Sequence, residues 1–416
     1  MVAFDPVRRH ENTIAITGNL GMGEFHRLIG VIFDATSRRG YQDITLDFSQ
    51  CTATFNAPML SVCAQIQEIR NRGISTHLIL PNKETLAKLF ISTNWAYTID
   101  PNRFNMSSFR GFSHVPVTHF SDANQQAESV DKIINAILCS MDGLSREDLA
   151  SIEWAINEIT DNVLVHSNSK NGGFVQLTTF KGTRPRIEYA VCDAGVGIPA
   201  TLKPAHKHIQ TDMDALDQAI REGVTNGLGM GNGLFGSFEV SRISGGYFQI
   251  HSGNARLAYD QRSELHLRDE RVPYSGTLVV ACIECTKTGV LAEALKFGGK
   301  QHKPIDFIEM RYEADDEIIE FNLLNETLSF GTRLVGIPIR RKLLNLYEMS
   351  GGQKIIIDMS GIPVISSSFA DEVLGKIFME IGQTNFNRRF GLKNMNKTVH
   401  GLIERALTQR GYSSRR

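Results

Sequence analysis

The chain has 416 residues, and since domains tend to run on the order of 100 to 200 residues, two or three are expected. Hydrophobic residues make up 42% and charged residues 21%, a balance that excludes a disordered or fibrous chain. The net charge of −1 argues against general nucleic-acid binding, which depends on many lysine and arginine contacts to phosphate. No apolar run reaches the roughly 18 residues of a membrane span and no signal-peptide core is visible, so we expect a cytoplasmic protein.

The six cysteines stand apart in apolar segments, where a free thiol behaves as a small hydrophobe. This scatter suggests a reducing compartment. Cys282 and Cys285 form one CxxC pair, but a tetrahedral zinc site needs a second ligand pair and none stands at suitable spacing. We therefore do not expect zinc.

The first segment, residues 1–105, alternates strand-like runs such as NTIAITG and ITLDFS with helix-like runs such as APMLSVCAQIQEIRNRG. This alternation predicts a small α/β domain. Residues 101–125 are rich in Asn, Ser, Pro and Phe, which indicates a linker that includes one strand. A domain boundary is expected there.

The rest of the chain suggests two further domains. Two helical segments follow from about 126, then strands, a glycine-rich loop and a helix up to about 288, and another α/β unit runs from about 317 to the end. LDFSQCTATFNAPMLSV at 46–62 aligns with IDMSGIPVISSSFADEV at 357–373. Homology between the outer units and chance recurrence of a strand, turn and helix both remain open.

The segment EWAINEITDNVLVHS at 153–167 is the first that suggests chemistry. In a helix, Glu158, Asn162 and His166 fall at i, i+4 and i+8, so they form one polar row. An apolar stripe from Ile152 to Val163 runs beside the row. A plain amphipathic helix would show the same pattern, and a packed His166 is the simpler interpretation of that residue.

The second motif, CDAGVGIP at 192–199, follows a predicted strand. Asp193 at the strand end can accept a hydrogen bond from an exocyclic amine. Gly195 and Gly197 would let the backbone approach a flat ring closely. A simple strand-to-loop turn is the alternative.

The third motif, GLGMGNGL at 227–234, places glycines before a helix, where free N–H groups favour phosphate. Gly231, Gly233 and Gly236 spell GxGxxG, but no strand directly precedes them and Arg256 stands near the position where a dinucleotide site needs an acidic residue. The Walker A pattern is absent from the sequence. These features favour a different kind of phosphate-binding loop.

In order along the chain, these motifs resemble the N, G1, G2 and closing boxes of the GHKL ATPases, the family of gyrase, heat-shock chaperone, histidine kinase and MutL domains. The segments are NExxxNxxxH at 157–166, DAGVGIP at 193–199, GLGMGNGL at 227–234 and SGTLVV at 275–280. The first looks closest to the anti-sigma-factor serine kinases. No phospho-accepting histidine stands in the helix before the N box, which counts against histidine autophosphorylation.

The resemblance implies bound ATP and Mg²⁺ in a Bergerat-type α/β sandwich, with residues 200–226 as a mobile lid. Glu158 would position or deprotonate the nucleophile, and Asn162 would bind both nucleotide and Mg²⁺. Asp193 would meet the adenine amino group, supported by Thr277. The glycines would line the base and wrap the phosphates: Gly195, Gly197, Gly229, Gly231 and Gly233.

The outer units resemble sulphate-transporter and anti-sigma-antagonist (STAS) domains, the C-terminal one being similar to a STAS-like domain of unknown function. ISSSFADE at 365–372 places three candidate phosphoacceptors, Ser366, Ser367 and Ser368, beside the position that such kinases phosphorylate. The N-terminal copy offers Phe55, Asn56 and Ala57 instead. Helix capping is the alternative role of the serines.

We therefore predict a mixed α/β (α+β) protein of three domains. They are a STAS-like domain at 1–105, a GHKL domain at 106–290 and, after a linker at 291–316, a STAS-like domain at 317–416.

The expected function is phosphate transfer from ATP to a serine of a STAS-like domain. A nucleotide-driven switch or slow ATPase that controls a protein partner, and a module that only binds ATP, are the alternatives. A protein partner is expected through the STAS-like domains, and a homodimer remains open.

Overall fold

The computed structural model describes residues 5–107, 114–227, 231–304, 306–315 and 317–413. These residues form two compact units. The first contains the described residues up to 107 together with 114–133 and 154–302, and the second contains 134–153 and the residues from 303 onward. The predicted mixed α/β class is confirmed, since helices and several sheets alternate along the chain.

The N-terminal part of the first unit is a four-stranded sheet with helices. Its elements are β1 (Val7–His10), β2 (Thr13–Leu20), α1 (Phe25–Phe33), a π-helical turn (Asp34–Arg38), β3 (Asp43–Thr54), α2 (Asn56–Asn71), β4 (Ser75–Ile79), α3 (Glu84–Ser92) and α4 (Trp95–Ile99). The strand order is β1-β2-β3-β4, in which β1 pairs antiparallel to β2 and the other pairs are parallel. Parallel neighbours need crossover connections, and α1 and α2 lie in those crossovers.

The rest of the first unit is built on an antiparallel five-stranded sheet. Its elements are β5 (His114–Phe120), α5 (Ala123–Ser140), α6 (Arg146–His166), β6 (Gly173–Phe180), β7 (Arg186–Asp193), α7 (Ile198–Leu202), α8 (Asp212–Ala219), α9 (Gly233–Ser244), β8 (Phe248–Asp260), β9 (Glu264–Glu284), a 3₁₀ turn (Leu291–Ala294), β10 (Lys296–Phe297) and β11 (Lys300–Gln301). The strand order is β5-β6-β7-β9-β8. The boundary between the two units falls within α5 and within α6.

The segment 255–274, for which the sequence suggested no role, extends the hairpin of β8 and β9. Its strands stay paired from Ala255 opposite Asp269 to Asp260 opposite Glu264. The hairpin therefore runs well past the point where β9 leaves the other strands of the sheet, because β7 pairs with β9 only between residues 278 and 284 of β9.

Helix α2 joins the two sheets of the first unit. It is buried on nearly every side, contacts β6 and β7, and contributes to a hydrophobic core that also contains Cys192 and Leu278 of the five-stranded sheet. Gln65 on α2 donates from Nε2 to the carbonyl of Ser275 at 2.9 Å. A helix buried all round belongs between layers, so the N-terminal sheet and the five-stranded sheet share one core.

The second unit contains a four-stranded sheet and several helices. Its further elements are α10 (Phe307–Tyr312), β12 (Glu313–Asp315), β13 (Ile318–Asn322), α11 (Leu323–Glu326), α12 (Arg333–Met349), β14 (Lys354–Asp358), α13 (Ser367–Ala370), a π-helical turn (Asp371–Gly375), α14 (Lys376–Ile381), α15 (Gln383–Arg389), β15 (Phe390–Lys393) and α16 (Lys397–Ser413). The order is β12-β13-β14-β15, again with one antiparallel pair followed by two parallel pairs.

The two four-stranded sheets thus share strand order and strand directions. The aligned aspartates also make the same local bond: Asp47 accepts from the backbone N–H of Ser49 at 2.9 Å, and Asp358 accepts from that of Ser360 at 2.8 Å. Within the described part of the chain, no helix has both the length and the apolar composition that crossing a membrane requires.

Candidate functional site

Helix α6 carries the predicted polar row. Glu158, Asn162 and His166 are half-buried, whereas Ile156 and Val163 of the neighbouring stripe are buried. Side chains three or four residues apart share a helix face. The stripe therefore anchors α6 in the core, and the polar row lies along the edge of the buried face.

The polar row borders a cavity of about 570 Å³ in the first unit. This volume lies within the range of small-molecule and cofactor sites. Gly229 lies outside the described residues, and Gly195 is not among the described residues that line the cavity. The other residues predicted to bind nucleotide or Mg²⁺ or to act in catalysis all line the cavity: Glu158, Asn162, Asp193, Gly197, Gly231, Gly233 and Thr277.

Asp193, the last residue of β7, is almost fully buried with 2% of its surface exposed. Its Oδ1 accepts a hydrogen bond from the backbone N–H of Gly195 at 2.7 Å. Burial raises the pKa of Asp193 to about 7, although the backbone hydrogen bonds from Gly195 and Thr277 act in the opposite direction. A hydrogen bond donated by a ligand would stabilise the ionised form of this buried carboxyl group.

Gly197 is held close to the two last strands of the sheet. Its φ is +82°, and a Cβ there would lie 2.6 Å from Ser252 Oγ and 2.9 Å from the carbonyl oxygen of Gly276. Ser252 is fully buried. It donates to Gly276 O at 2.7 Å and accepts from the backbone N–H of Ile198 at 2.9 Å. No motif in the sequence marks Ser252, which fixes the loop after Asp193.

Gly233 begins α9 and lies against α6. A Cβ at this position would stand 2.5 Å from Glu158 Oε2 and 3.4 Å from Asn162 Nδ2. The N-cap residue, Asn232, makes no side-chain bond to the first N–H groups of α9. Among the described residues, the N-cap side chain thus leaves the first N–H groups of α9 uncapped, and they lie beside the amide and the carboxylate of α6.

Two side chains of the polar row have shifted pKa values. Burial, and to a smaller extent Asp161, raises the pKa of Glu158, which favours a proton-accepting role near neutral pH. Burial lowers the pKa of His166, whose Nδ1 lies 3.3 Å from Asn226 Nδ2. His166 is thus partly buried and hydrogen-bonded to Asn226, as expected for a packed histidine without a catalytic role.

An aromatic cluster closes another part of the cavity wall. The ring centroids of Trp154 and Phe297 lie 5.6 Å apart, and those of Trp154 and His302 lie 5.7 Å apart. Phe297 and His302 fall in the segment predicted as a linker, and no motif marks them. Trp154 stands in α6, four residues before Glu158, so helical periodicity was the one available signal for it.

The candidate serines belong to the second unit. Ser366 is the N-cap of α13, and its Oγ accepts from the backbone N–H of Phe369 at 3.0 Å. Ser367 and Ser368 are exposed. Ser366 therefore has the capping role that was predicted as the alternative. Ser367 and Ser368, by contrast, are exposed to solvent and do not cap the helix.

The corresponding N-terminal position has no hydroxyl. Phe55 precedes α2 with 58% of its surface exposed, Asn56 hydrogen-bonds to Thr178 of the five-stranded sheet, and Ala57 is buried. The N-terminal sheet thus uses this position for packing against its own unit.

The comparison with protein families concerns the second unit. Residues 335–400 match the model of a STAS-like domain of unknown function (DUF4325). The second unit therefore contains a STAS-like domain. The matched range covers most of α12, and all of β14, the candidate serines and β15. No curated protein matches the chain.

Proposed function

We propose that the first unit binds ATP with Mg²⁺ and transfers phosphate to a serine of a STAS-like domain. The observation that carries this proposal is the convergence of Glu158, Asn162, Asp193 and Thr277, which are spread over 120 residues of sequence, on one cavity. Their order along the chain resembles that of the GHKL motifs, and sites of this kind are recognised by such geometry rather than by fold.

The end of the cavity near Asp193 suits adenine. Asp193 offers the acceptor for the exocyclic amine, and the walls beside it are apolar, with Val191, Ile198 and Val279 among the lining residues. Gly197, which also lines the cavity, carries no side chain that would occlude a planar ring at this end.

The other end, between α6 and α9, suits a polyphosphate. Uncapped N–H groups at the start of α9 favour anions. Among the described lining residues there is neither lysine nor arginine, so a cation has to supply most of the neutralising charge. Asn162 would hold Mg²⁺ here through its side-chain oxygen, as Mg²⁺ commonly takes few protein ligands beside phosphate oxygens. The ion would neutralise charge that develops on the transferred group.

Glu158 is the proposed general base. The serine oxygen attacks the γ-phosphorus, the hydroxyl proton passes to the Glu158 carboxylate, and the bond to the oxygen of the leaving ADP breaks. Phosphoserine and ADP are the products. The raised pKa of Glu158 makes it a better proton acceptor than an ordinary surface glutamate.

Ser367 and Ser368 are the favoured acceptors in this chain, since Ser366 already caps α13. An equivalent serine on a second copy or on another protein would fit the same chemistry. STAS-like domains suggest interaction with protein partners, and this points to a regulator that acts through such contacts.

A nucleotide-driven switch is the second candidate, favoured by the shared core of the first unit. Helix α2 is packed directly on β6 and β7. A conformational change around the cavity would therefore alter the position of the N-terminal sheet without any protein phosphorylation. In that case Glu158 would orient water, and free phosphate would be the product.

The test uses the purified full chain, Mg²⁺ and γ-labelled ATP, with protein-bound label and free phosphate measured together. Glu158→Gln and Asp193→Asn should remove both products, while Asp269→Asn, an exposed carboxylate outside the cavity, serves as the matched control. Label that disappears in a Ser367→Ala/Ser368→Ala double variant supports the kinase. Free phosphate alone supports the switch, and the proposal is wrong if wild type neither binds nor consumes ATP.

A further inference from the structure

A second cavity, also of about 570 Å³, lies on the opposite face of the five-stranded sheet. Val279 lines the first cavity and Val280 lines the second, and successive residues of a strand point to opposite faces. The walls come from the sheet, from the extended hairpin of β8 and β9, and from the start of α2. The proposed nucleotide chemistry uses none of these surfaces.

Two arginines mark one side of this cavity. Arg256 on β8 stands directly opposite Arg268 on β9, and both line the cavity. Like charges paired across strands destabilise a hairpin. Arg256 Nε is buried and has no hydrogen-bond partner among the described residues. A terminal nitrogen contacts Gln249 Oε1 at 3.4 Å, and Glu270 is a carboxylate that acts electrostatically on the same guanidinium. An unpaired buried donor beside a second positive charge is a ready site for an anion.

An acidic group marks another side. The Tyr247 hydroxyl donates to Glu188, and both residues line the cavity. Tyr247 directly precedes β8 and holds Glu188, whereas Gln249 contacts Arg256, so the acidic and basic groups mark different sides of the cavity. Asp260 also lines the cavity. Two carboxylates disfavour a doubly charged anion, whereas a single carboxylate with a hydrogen-bond donor at its far end satisfies both sides.

The space between these ends is largely apolar. Met22, Pro58, Leu267 and the ring of Tyr259 contribute to the walls. Apolar walls with a few placed polar groups are the usual composition of a small-molecule site.

We propose that this second cavity binds a small organic monocarboxylate with an apolar body. Its carboxylate lies against Arg256 and Arg268, and its far end donates a hydrogen bond to Glu188. Because the start of α2 forms one wall and the sheet forms another, an occupant contacts both layers of the first unit. The site is therefore a place where a metabolite-sized acid can influence the N-terminal sheet and the five-stranded sheet together.

The probes are 3-phenylpropanoate, 3-(4-aminophenyl)propanoate and the neutral 3-phenylpropanamide, titrated into the full chain by calorimetry and saturation-transfer NMR. We expect the amino compound to bind most tightly and the amide not to bind. Arg256→Gln should weaken carboxylate binding by about 10- to 100-fold, the effect of losing a charge-assisted hydrogen bond. Arg271→Gln, an exposed arginine of β9 that does not line the cavity, should leave binding unchanged.

Ala258→Trp gives a second test, because it fills the cavity without removing a charge and should also abolish binding. The proposal is overturned if neither carboxylate binds at millimolar concentration, or if binding survives Arg256→Gln and Ala258→Trp. Since the two cavities face opposite sides of the sheet, ATP binding is measured in parallel. Carboxylate binding without ATP binding would overturn only the proposed function, and the reverse result would overturn only this inference.

Discussion

Nucleotide affinity should depend on pH through Asp193. Burial raises the pKa of this carboxyl group to about 7, and an adenine amine donates its hydrogen bond to the ionised form. With a pKa of about 7, the ionised fraction rises from about 0.1 at pH 6 to about 0.9 at pH 8, and apparent affinity scales with the competent fraction. The affinity for an adenine nucleotide should therefore rise about tenfold across this range.

The measurement is a fluorescence titration with a labelled ADP analogue at constant ionic strength, for wild type and Asp193→Asn. Ionisation of the nucleotide phosphates affects both proteins equally, so the difference between their pH profiles isolates Asp193. Asparagine can keep the bond from the Gly195 N–H through its carbonyl oxygen, which limits structural change. Parallel profiles for the two proteins would refute the assigned role of Asp193.

Three further outcomes follow from packing. Burial lowers the pKa of His26 and of His251, whose ring nitrogens lie 2.8 Å apart. The folded chain therefore binds fewer protons than the unfolded chain, so the melting temperature should fall as pH drops below about 6.5. The His251→Gln variant should lose less thermal stability over the same pH range. Gly233→Ala should displace Glu158 Oε2, 2.5 Å from the new Cβ, and reduce phosphate transfer at least tenfold with a smaller loss of ATP affinity in a binding assay, a pattern that equal losses would contradict. Ser366→Ala should lower the free energy of unfolding in urea by about 1 kcal/mol through loss of the cap yet retain label on the protein, and loss of all label would instead make Ser366 the acceptor.

Local patterns in the sequence account for the elements that hold the candidate site. The polar row and apolar stripe of α6 follow from helical periodicity alone, and the structure has that helix over Arg146–His166. Asp193 was expected at a strand end and is the last residue of β7. Such features depend on spacing within one segment, which the sequence displays directly.

Long-range packing could not be deduced in the same way. Ser252 reaches the loop after Asp193 across 54 residues, and the His26–His251 contact spans 225 residues. Neither the aromatic contribution of Phe297 nor the packing of α2 on the five-stranded sheet leaves a periodic signal in the sequence. These contacts depend on how separate elements fit together, which propensity and pattern do not describe.

The similarity between the N-terminal and C-terminal four-stranded sheets could be predicted in part from the sequence. The alignment of Asp47 with Asp358 rested on few positions, and the structure adds matching strand order, matching strand directions and the same bond to the backbone two residues on. The hydroxyl-free loop of Phe55 and Asn56 was visible in the sequence. The packing of this loop inside the first unit could not be predicted, because Asn56 hydrogen-bonds to Thr178, which is 122 residues away in the sequence.

The most direct test of nucleotide binding is calorimetric titration of the full chain with Mg²⁺·ATP and with Mg²⁺·GTP. Asp193 accepts from the amine of adenine but would face the ring carbonyl of guanine, which is itself an acceptor. We predict one ATP bound per chain and GTP affinity lower by at least about tenfold, the discrimination of a buried group left unpaired. Absence of ATP binding, or equal affinities for the two nucleotides, would contradict the proposed site.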